Sequence, residues 1–330
     1  MTDPEICAAV RQHYGLAVRA VERIDRGSAA LFKLYGSEAA FILKVFQPKF
    51  RADSILREVH VTDFLRQNGI SVPEYIPCRN GDFYFMQNGR IAILQAFIPG
   101  QTREKGCCSK RELLDSARLL AQIVNALEHY PYDDLLPCEI SRYGSAARLL
   151  QAKVAYADLM AAAHADAVHG AEICRDLQDR LVMIARVSDA GAFVNTNALT
   201  LKRSHGDYSV MQLLYDGSEI KAVLDFVNAG EVPIAWELIR SYSYMDCTFN
   251  AARLAAYTNE YRRYAEVSMD DLRYMPYLYL SQLLSSTYGY KQYLQTGDEE
   301  LLAFGRWRTE MCRYLIANAR EVSAELVRLA

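Results

Sequence analysis

The chain has 330 residues, with 37 Lys and Arg against 40 Asp and Glu, and a formal net charge of −3. This near balance of charge gives no basis for binding nucleic acid or an anionic membrane. No apolar run is long enough to span a bilayer. The composition, 51% hydrophobic and 23% charged, is that of a globular protein, and the length is sufficient for two lobes around a cleft.

The cysteines and histidines carry no metal or disulfide pattern. Eight cysteines are scattered without a C-x-x-C pair, and the six histidines lack the H-E-x-x-H spacing of zinc enzymes. Reduced thiols and a cytoplasmic location fit this usage better than a disulfide framework. The polar N-terminus reads as a capped helix, and we therefore expect no signal peptide.

The first hundred residues alternate between strand and turn patterns. One long segment has apolar residues at helical spacing, and the rest alternates around turn residues. The predicted helices are 3–15 and 53–69, and the predicted strands are 17–25, 31–36, 41–46, 82–87 and 91–98. This order predicts an antiparallel sheet with one long inserted helix.

The turn between the first two strands contains Gly27 and Ser28. A small-residue turn can bring backbone N–H groups close to a phosphate chain. It holds one glycine only, so an ordinary hairpin turn explains it equally well.

Lys44 lies inside an otherwise apolar strand, FILKVF. A buried ammonium is costly unless it is paired or reaches water. Glu58, beside the apolar face of the following helix, is its natural partner. A strand lysine paired with a helix glutamate is the phosphate-holding arrangement of kinases, and snorkelling of Lys44 to solvent is the alternative.

The character of the chain changes after Pro99-Gly100. Backbone groups at Gln95 and Phe97 are placed to act as a connector to which an adenine could bind by hydrogen bonds. Beyond it, helical patterns dominate at 109–129, 144–165, 170–187 and from Pro233 to the end, interrupted by strands over 197–228. We predict two lobes, 1–98 and 99–330.

Residues 197–228, the strands between the helical segments, contain the strongest indication of chemistry. His205-Gly206-Asp207 opens a loop before the apolar run 211–214, Asp216-Gly217 predicts a hairpin, and Asp225-Phe226 ends the next strand. Two carboxylates facing one cleft repel each other unless a cation such as Mg²⁺ lies between them. The spacing follows the catalytic and metal loops of kinases.

Together these segments resemble the aminoglycoside phosphotransferase and choline kinase-like group of small-molecule kinases, nearest to the homoserine-kinase-type and spore-coat-kinase-type branch. The matching pieces are FILKVF (41–46), the helix with Glu58, LQAFIPG (94–100), SHGDYSVMQLLY (204–215), AVLDFVNAG (222–230) and VPIAWELIRSY (232–242). The resemblance implies an α+β, bilobal protein-kinase-like fold. It would have an N-terminal antiparallel β-sheet lobe with one long helix and a larger, mostly helical C-terminal lobe.

The resemblance also implies roles for individual residues. Asp207 would act as the base toward the acceptor hydroxyl, and Asp225 and Gln212 would hold Mg²⁺. Lys44 would hold the α- and β-phosphates of ATP or GTP, and Glu58 would position it. Gln212 stands where the group commonly has Asn. His205 would support the loop rather than perform chemistry.

The implied partners are a nucleoside triphosphate and a small hydroxyl compound, such as a sugar, amino acid, amino alcohol or antibiotic. The interspersed charges of the C-terminal hundred residues give little support for a polycationic acceptor. Arg240 could meet an acceptor carboxylate or pair with Glu237 on the same helix. The protein would be a monomer or homodimer.

Two other interpretations remain open on sequence grounds. The first is a catalytically degenerate kinase-fold binding or spore-coat-associated protein, favoured by Gln212 and the glycine-poor turn. The second is a protein kinase, disfavoured because no A-P-E element follows Asp225-Phe226.

Overall fold

The computed structural model describes residues 2–24, 29–189, 194–246 and 248–329. Contacts divide the chain into two compact units. The first unit comprises 1–136, 203–231 and 244–247, and the second unit comprises 137–202, 232–243 and 248–330. The lobe boundary after residue 98 stays a prediction.

The first unit is built on an antiparallel sheet. Its strands in this region are β1 (Ala20–Ile24), β2 (Ala30–Tyr35), β3 (Ala40–Val45), β4 (Tyr75–Ile76), β5 (Tyr84–Gln87) and β6 (Arg90–Ala96). They pair in the order β1-β2-β3-β6-β4, and β5 also pairs with β6. The helices are α1 (Asp3–Tyr14), α2 (Ala52–Gln67) and α3 (Lys110–Glu128).

The two faces of this sheet differ in packing. One face, which we call the core face, carries Phe32, Leu34, Leu43 and Val45, which are buried in one cluster with residues of α1. The alternating residues point to the opposite face, because side chains along a strand alternate. We call it the open face. It carries the half-buried side chains of Leu31, Lys33, Ile42, Lys44 and Gln95.

Helix α2 covers one end of the open face. Its residues Ile55 and Val59 are buried in a cluster with Phe46, Ile91 and Ile93. This packing places one side of α2 against the strand that carries Lys44.

A second, two-stranded antiparallel sheet follows later in the chain. It joins β8 (Leu213–Asp216) and β9 (Glu219–Val223), and it is preceded by β7 (Leu201–Ser204) and followed by β10 (Gly230–Pro233). The predicted Asp216-Gly217 turn connects β8 to β9, with Gly217 at φ 56°, a conformation that glycine adopts at little cost.

The second unit is mainly helical. Its helices are α4 (Ala146–Ala163), α5 (Gly170–Asp189), α6 (Ile234–Met245, ending in the first unit), α7 (Ala251–Arg262), α8 (Met269–Leu284), α9 (Tyr290–Thr296) and α10 (Glu299–Arg328). The predicted order, an antiparallel sheet with a long helix followed by a mostly helical part, is confirmed. None of the described helices combines the length and hydrophobicity needed to cross a membrane.

Candidate active site

Lys44 is the centre of a cluster of three charged side chains in the first unit. Its Nζ lies 3.0 Å from Glu58 Oε1 and 2.9 Å from Asp225 Oδ1. The Lys44 side chain is 12% exposed, that of Glu58 is 1% exposed and that of Asp225 is 35% exposed. The structure therefore brings together three of the residues predicted from the sequence, on β3, on α2 and directly after β9.

The buried side of the cluster is fixed by a second donor to Glu58. The hydroxyl of Tyr75 donates to Glu58 Oε1 over 2.7 Å. Burial alone would lower the pKa of Lys44, but the Glu58 and Asp225 carboxylates outweigh it and raise that pKa above its usual value. Lys44 therefore stays charged, and its ammonium also lies 4.7 Å from the ring centroid of Phe46.

Two carboxyl groups share the one ammonium group of Lys44. Burial raises the pKa of Glu58 against the pull of Lys44, and Asp225 raises it further. The half-exposed carboxylate of Asp225 is therefore where an added cation would be most favourable.

Asp225 occupies an uncommon backbone conformation. Its φ is 66° and its ψ is 64°, in the left-handed region, which costs an L-residue about 1–2 kcal/mol and which Asp tolerates better than most. A short turn, Phe226–Asn228, follows it directly. Arg57 on α2 donates to the carbonyl oxygens of Val227, at 3.2 Å, and of Asp134. Helix α2 therefore contacts both the Lys44 cluster, through Glu58, and the turn after Asp225.

His205 connects the loop of Asp207 to the strand end before Asp225. The backbone N–H of Asp207 donates to His205 Nδ1 over 3.2 Å, and His205 Nε2 lies 2.9 Å from the carbonyl oxygen of Leu224. These two contacts require a neutral ring with its proton on Nε2. His205 is fully buried and its ring packs on Phe226 at 4.5 Å, so it supports the loop.

Gly206 permits this close approach of the two loops. It has φ 76°, and a Cβ there would lie 2.1 Å from the carbonyl oxygen of Asn228. No other residue fits without moving the turn that follows Asp225.

Gln212 lies beside Asp207. Its Nε2 donates to Asp207 Oδ2 over 3.3 Å. This contact directs the amide nitrogen at the carboxylate, so the amide oxygen is the atom left to serve a cation. Met211, the first residue of the apolar run, does not belong to strand β8, which begins at Leu213. Val210–Gln212 forms a tight turn before the strand, and Met211 is 51% exposed.

The donor set of this region suits a hard cation that shares its coordination with a substrate. Among the described residues, no group of three or more His, Cys, Asp and Glu is arranged to hold a metal. Asp225 and Gln212 offer a carboxylate and an amide oxygen. Mg²⁺ typically takes one or two protein carboxylates and completes its shell with water and phosphate oxygens, so these residues fit it.

The remaining predicted site residues lie at the end of the inner strand β6, just after it, or outside the described part. Gln95 is on β6, opposite both Ile42 and Tyr75. The backbone N–H of Phe97 donates to the carbonyl oxygen of Ala40 over 3.1 Å, so an adenine contact at Phe97 would use its carbonyl. Gly27 and Ser28 lie outside the described residues.

Sequence reasoning missed three residues that shape the cluster: Phe46, Arg57 and Tyr75. Arg57 and Tyr75 act through contacts across long sequence separations, to residues 227 and 58. Phe46 stands two positions after Lys44, and the period of a strand places both on one face. That signal was present in the sequence.

A comparison with known protein families matches residues 20–267 to the phosphotransferase enzyme family. The chain belongs to this family. The match covers most of the sequence, including both loops and the Lys44 strand. The predicted resemblance and the predicted phosphotransferase activity are confirmed. No curated protein matched the sequence.

Solved structures of small-molecule kinases share the fold. An amicoumacin kinase in complex with AMP-PNP, Ca²⁺ and its antibiotic is 13% identical, with a TM-score of 0.65 over 95% of this chain and 94% of that one. A spectinomycin phosphotransferase with ADP and spectinomycin is 10% identical, with a TM-score of 0.68 over 100% and 99%. A microcompartment-associated aminopropanol kinase is 15% identical, with a TM-score of 0.62 over 99% and 100%. These likenesses confirm the kinase-like fold.

Proposed function

We propose that this phosphotransferase moves the γ-phosphate of a Mg²⁺-bound nucleoside triphosphate, ATP or GTP, to a hydroxyl group of a small molecule. The observation that carries the proposal is the Lys44 ammonium, held at 3.0 Å by buried Glu58 and at 2.9 Å by half-exposed Asp225. A positioned cation beside an accessible carboxylate is what phosphate binding and metal binding require at one place.

Lys44 would hold the α- and β-phosphates. Glu58 is fully buried and accepts from both Lys44 and Tyr75, so the ammonium is oriented before any nucleotide arrives. Pre-organisation of this kind reduces the cost of ordering on binding. In this proposal Glu58 positions Lys44 and does not contact the nucleotide.

Asp225 and Gln212 would hold the Mg²⁺ ion. When bound, the ion neutralises charge on the β- and γ-phosphates. The left-handed backbone at Asp225, supported by the turn that Arg57 contacts, fixes the direction of the carboxylate.

Asp207 would accept the proton of the attacking hydroxyl. Its backbone is held by His205 and one carboxylate oxygen accepts from Gln212, so the carboxylate has a defined orientation. A positioned general base typically contributes about 10²–10⁴-fold to the rate. The rest of the catalysis would come from positioning and charge neutralisation.

For the acceptor, we infer only a chemical class. The names of the similar structures specify two antibiotics and aminopropanol. The mixed charge of the C-terminal residues favours a neutral or zwitterionic hydroxyl compound over a polycation.

A binding protein of the same fold without turnover is the second candidate. Asp225 accepts directly from Lys44, so the cluster is internally paired in the absence of a cation. Such a protein would bind a nucleotide and leave it intact.

A nucleotide-consumption screen separates the two candidates. Wild-type protein with Mg-ATP or Mg-GTP is tested against sugars, amino acids, amino alcohols and aminoglycosides, with Asp207→Asn as the matched control. We expect acceptor-dependent ADP or GDP release that Asp207→Asn abolishes. Nucleotide binding in a thermal-shift assay with no release for any acceptor class would instead establish the binding protein.

A further inference from the structure

A second ammonium group lies on the open face of the sheet, at Lys33 on β2. In the strand register, Leu31 lies opposite Lys44 and Lys33 lies opposite Ile42. Residues two apart on a strand share a face. Lys33 is therefore on the same face as Lys44, about 7 Å further along the sheet at about 3.4 Å per residue.

Going from Lys44 to Lys33 along the open face leads toward the connector that follows β6. Phe97 binds the backbone of Ala40 at the start of β3, whereas Lys44 is close to its end. The order along the open face is therefore Lys44, then Ile42 with Lys33, then Phe97. A nucleotide with its phosphates at Lys44 and its base toward this connector would have that base beside Lys33 and Phe97.

Two aromatic rings make cation–π contacts with the ammonium group of Lys33. Its Nζ lies 4.0 Å from the ring centroid of Phe97 and 4.8 Å from that of Tyr35, which are cation–π distances. Glu22 lies opposite Lys33 on β1, and its carboxylate accepts the hydroxyl of Tyr35 over 2.6 Å. Lys33 is half-buried, and the two rings set the position of its ammonium group on the open face.

An ammonium group donates hydrogen bonds and accepts none. The N7/O6 edge of guanine presents two acceptors, whereas the same edge of adenine presents the N7 acceptor beside the N6 amino donor. An ammonium at this edge fits guanine and meets a competing donor on adenine.

From this geometry we propose that Lys33, held by Phe97, is a specificity-determining residue that makes GTP the preferred nucleotide. The inference rests on the proposed function, because it requires the phosphates to lie at Lys44. A good pair of contacts to one base edge discriminates by 1–3 kcal/mol, or about 5- to 150-fold, and we expect a preference of about tenfold.

The test is calorimetric titration with Mg-GMP-PNP and Mg-AMP-PNP, which needs no acceptor. The measured quantity is the ratio of the two dissociation constants for wild type, Lys33→Met and Lys33→Arg. Lys49→Met is the matched control, since Lys49 also lies over a phenylalanine ring, that of Phe50 at 5.4 Å, but outside the strands of the sheet.

Wild type is expected to bind GMP-PNP about tenfold more tightly than AMP-PNP. Lys33→Met should bring the ratio close to one by weakening GMP-PNP, while Lys33→Arg and Lys49→Met keep the preference. Equal or tighter binding of AMP-PNP by wild type, or an unchanged ratio in Lys33→Met, would overturn this inference alone. No binding of either nucleotide would overturn it together with the proposed function.

Discussion

Two cations of the described part of the chain, Lys44 and Arg180, have contrasting surroundings. Lys44 in the first unit is held by two carboxylates, one of them 35% exposed. Arg180 on α5 in the second unit is fully buried and donates to neutral oxygens. These are the hydroxyls of Thr309 and Tyr156 and the carbonyls of Leu283, Ser286 and Gly305.

In the proposed function, this contrast separates a structural cation, Arg180, from one that binds the nucleotide, Lys44. The donors of Arg180 satisfy carbonyls at the end of α8 and on α10, and also reach Tyr156 on α4, so it joins four helices. Its partners are fixed in the interior. Lys44 has one buried partner, Glu58, and one half-exposed partner, Asp225. In the proposed function, a phosphate and a metal replace the contact between Lys44 and Asp225. The predictions below test that difference.

The largest expected effect concerns the loop beside the Lys44 cluster. Asp207→Ala should lower turnover by about 10²–10⁴-fold, because the proposed general base is lost, while nucleotide affinity stays within a few-fold of wild type. Steady-state kinetics and calorimetry measure the two quantities separately. Full turnover in the variant would remove Asp207 from the chemistry.

Removing Lys44 should affect both stability and binding. Lys44→Met leaves Glu58 buried without its cation, which typically costs 3–5 kcal/mol of unfolding free energy. The double variant Lys44→Met/Glu58→Gln should recover most of that loss, since the glutamine amide is neutral and still accepts from Tyr75. Urea denaturation measures the recovery.

Nucleotide binding distinguishes the role of Lys44 from that of a purely structural cation. The double variant should remain unable to bind Mg-nucleotide even after its stability returns. If the stabilised double variant bound nucleotide as wild type does, Lys44 would be structural, like Arg180.

Arg180→Met should destabilise the protein without a specific effect on the nucleotide. The variant loses five hydrogen bonds from a charged donor, each worth about 1.5–3 kcal/mol and not additive, so we expect a loss of about 3 kcal/mol or more in unfolding free energy. Arg175→Met, at an exposed position on the same helix, is the control and should change little. Weakened nucleotide affinity in the folded Arg180→Met protein would contradict a purely structural role for Arg180.

The smallest effect is expected at Arg57, whose guanidinium donates to the carbonyl oxygens of Val227 and Asp134 beside the proposed metal residue Asp225. Arg57→Ala removes these two hydrogen bonds; the one to Val227, from a charged donor, is worth about 1.5–3 kcal/mol. We expect the Mg²⁺ concentration for half-maximal nucleotide binding to rise about tenfold. Arg66→Ala, where the guanidinium pairs with Asp63 on the exposed side of α2, should not change it.

The sequence predicted those parts of the site that obey local rules. A lysine in an apolar strand demands a partner, and the helix that follows supplied Glu58. The Asp216-Gly217 hairpin and the glycine at 206 follow from turn chemistry. These features depend on neighbours close in sequence or on a strong cost of burial.

The parts that escaped prediction depend on tertiary contacts. Strand β4 has two residues, too few to show a period. Tyr75 and Arg57 gain their roles only when distant segments pack against α2. Met211 belongs to the apolar run but not to strand β8, because the chain first turns at Val210–Gln212, and hydrophobicity alone does not show that turn.

The most direct test of the central claim is calorimetry of AMP-PNP and GMP-PNP binding with and without Mg²⁺, in wild type and in Asp225→Ala. If Asp225 exchanges Lys44 for a metal, wild type binds a nucleotide more tightly with Mg²⁺, and Asp225→Ala loses that enhancement while keeping residual metal-free binding at Lys44. A Mg²⁺ enhancement of the same size in both proteins would contradict the account.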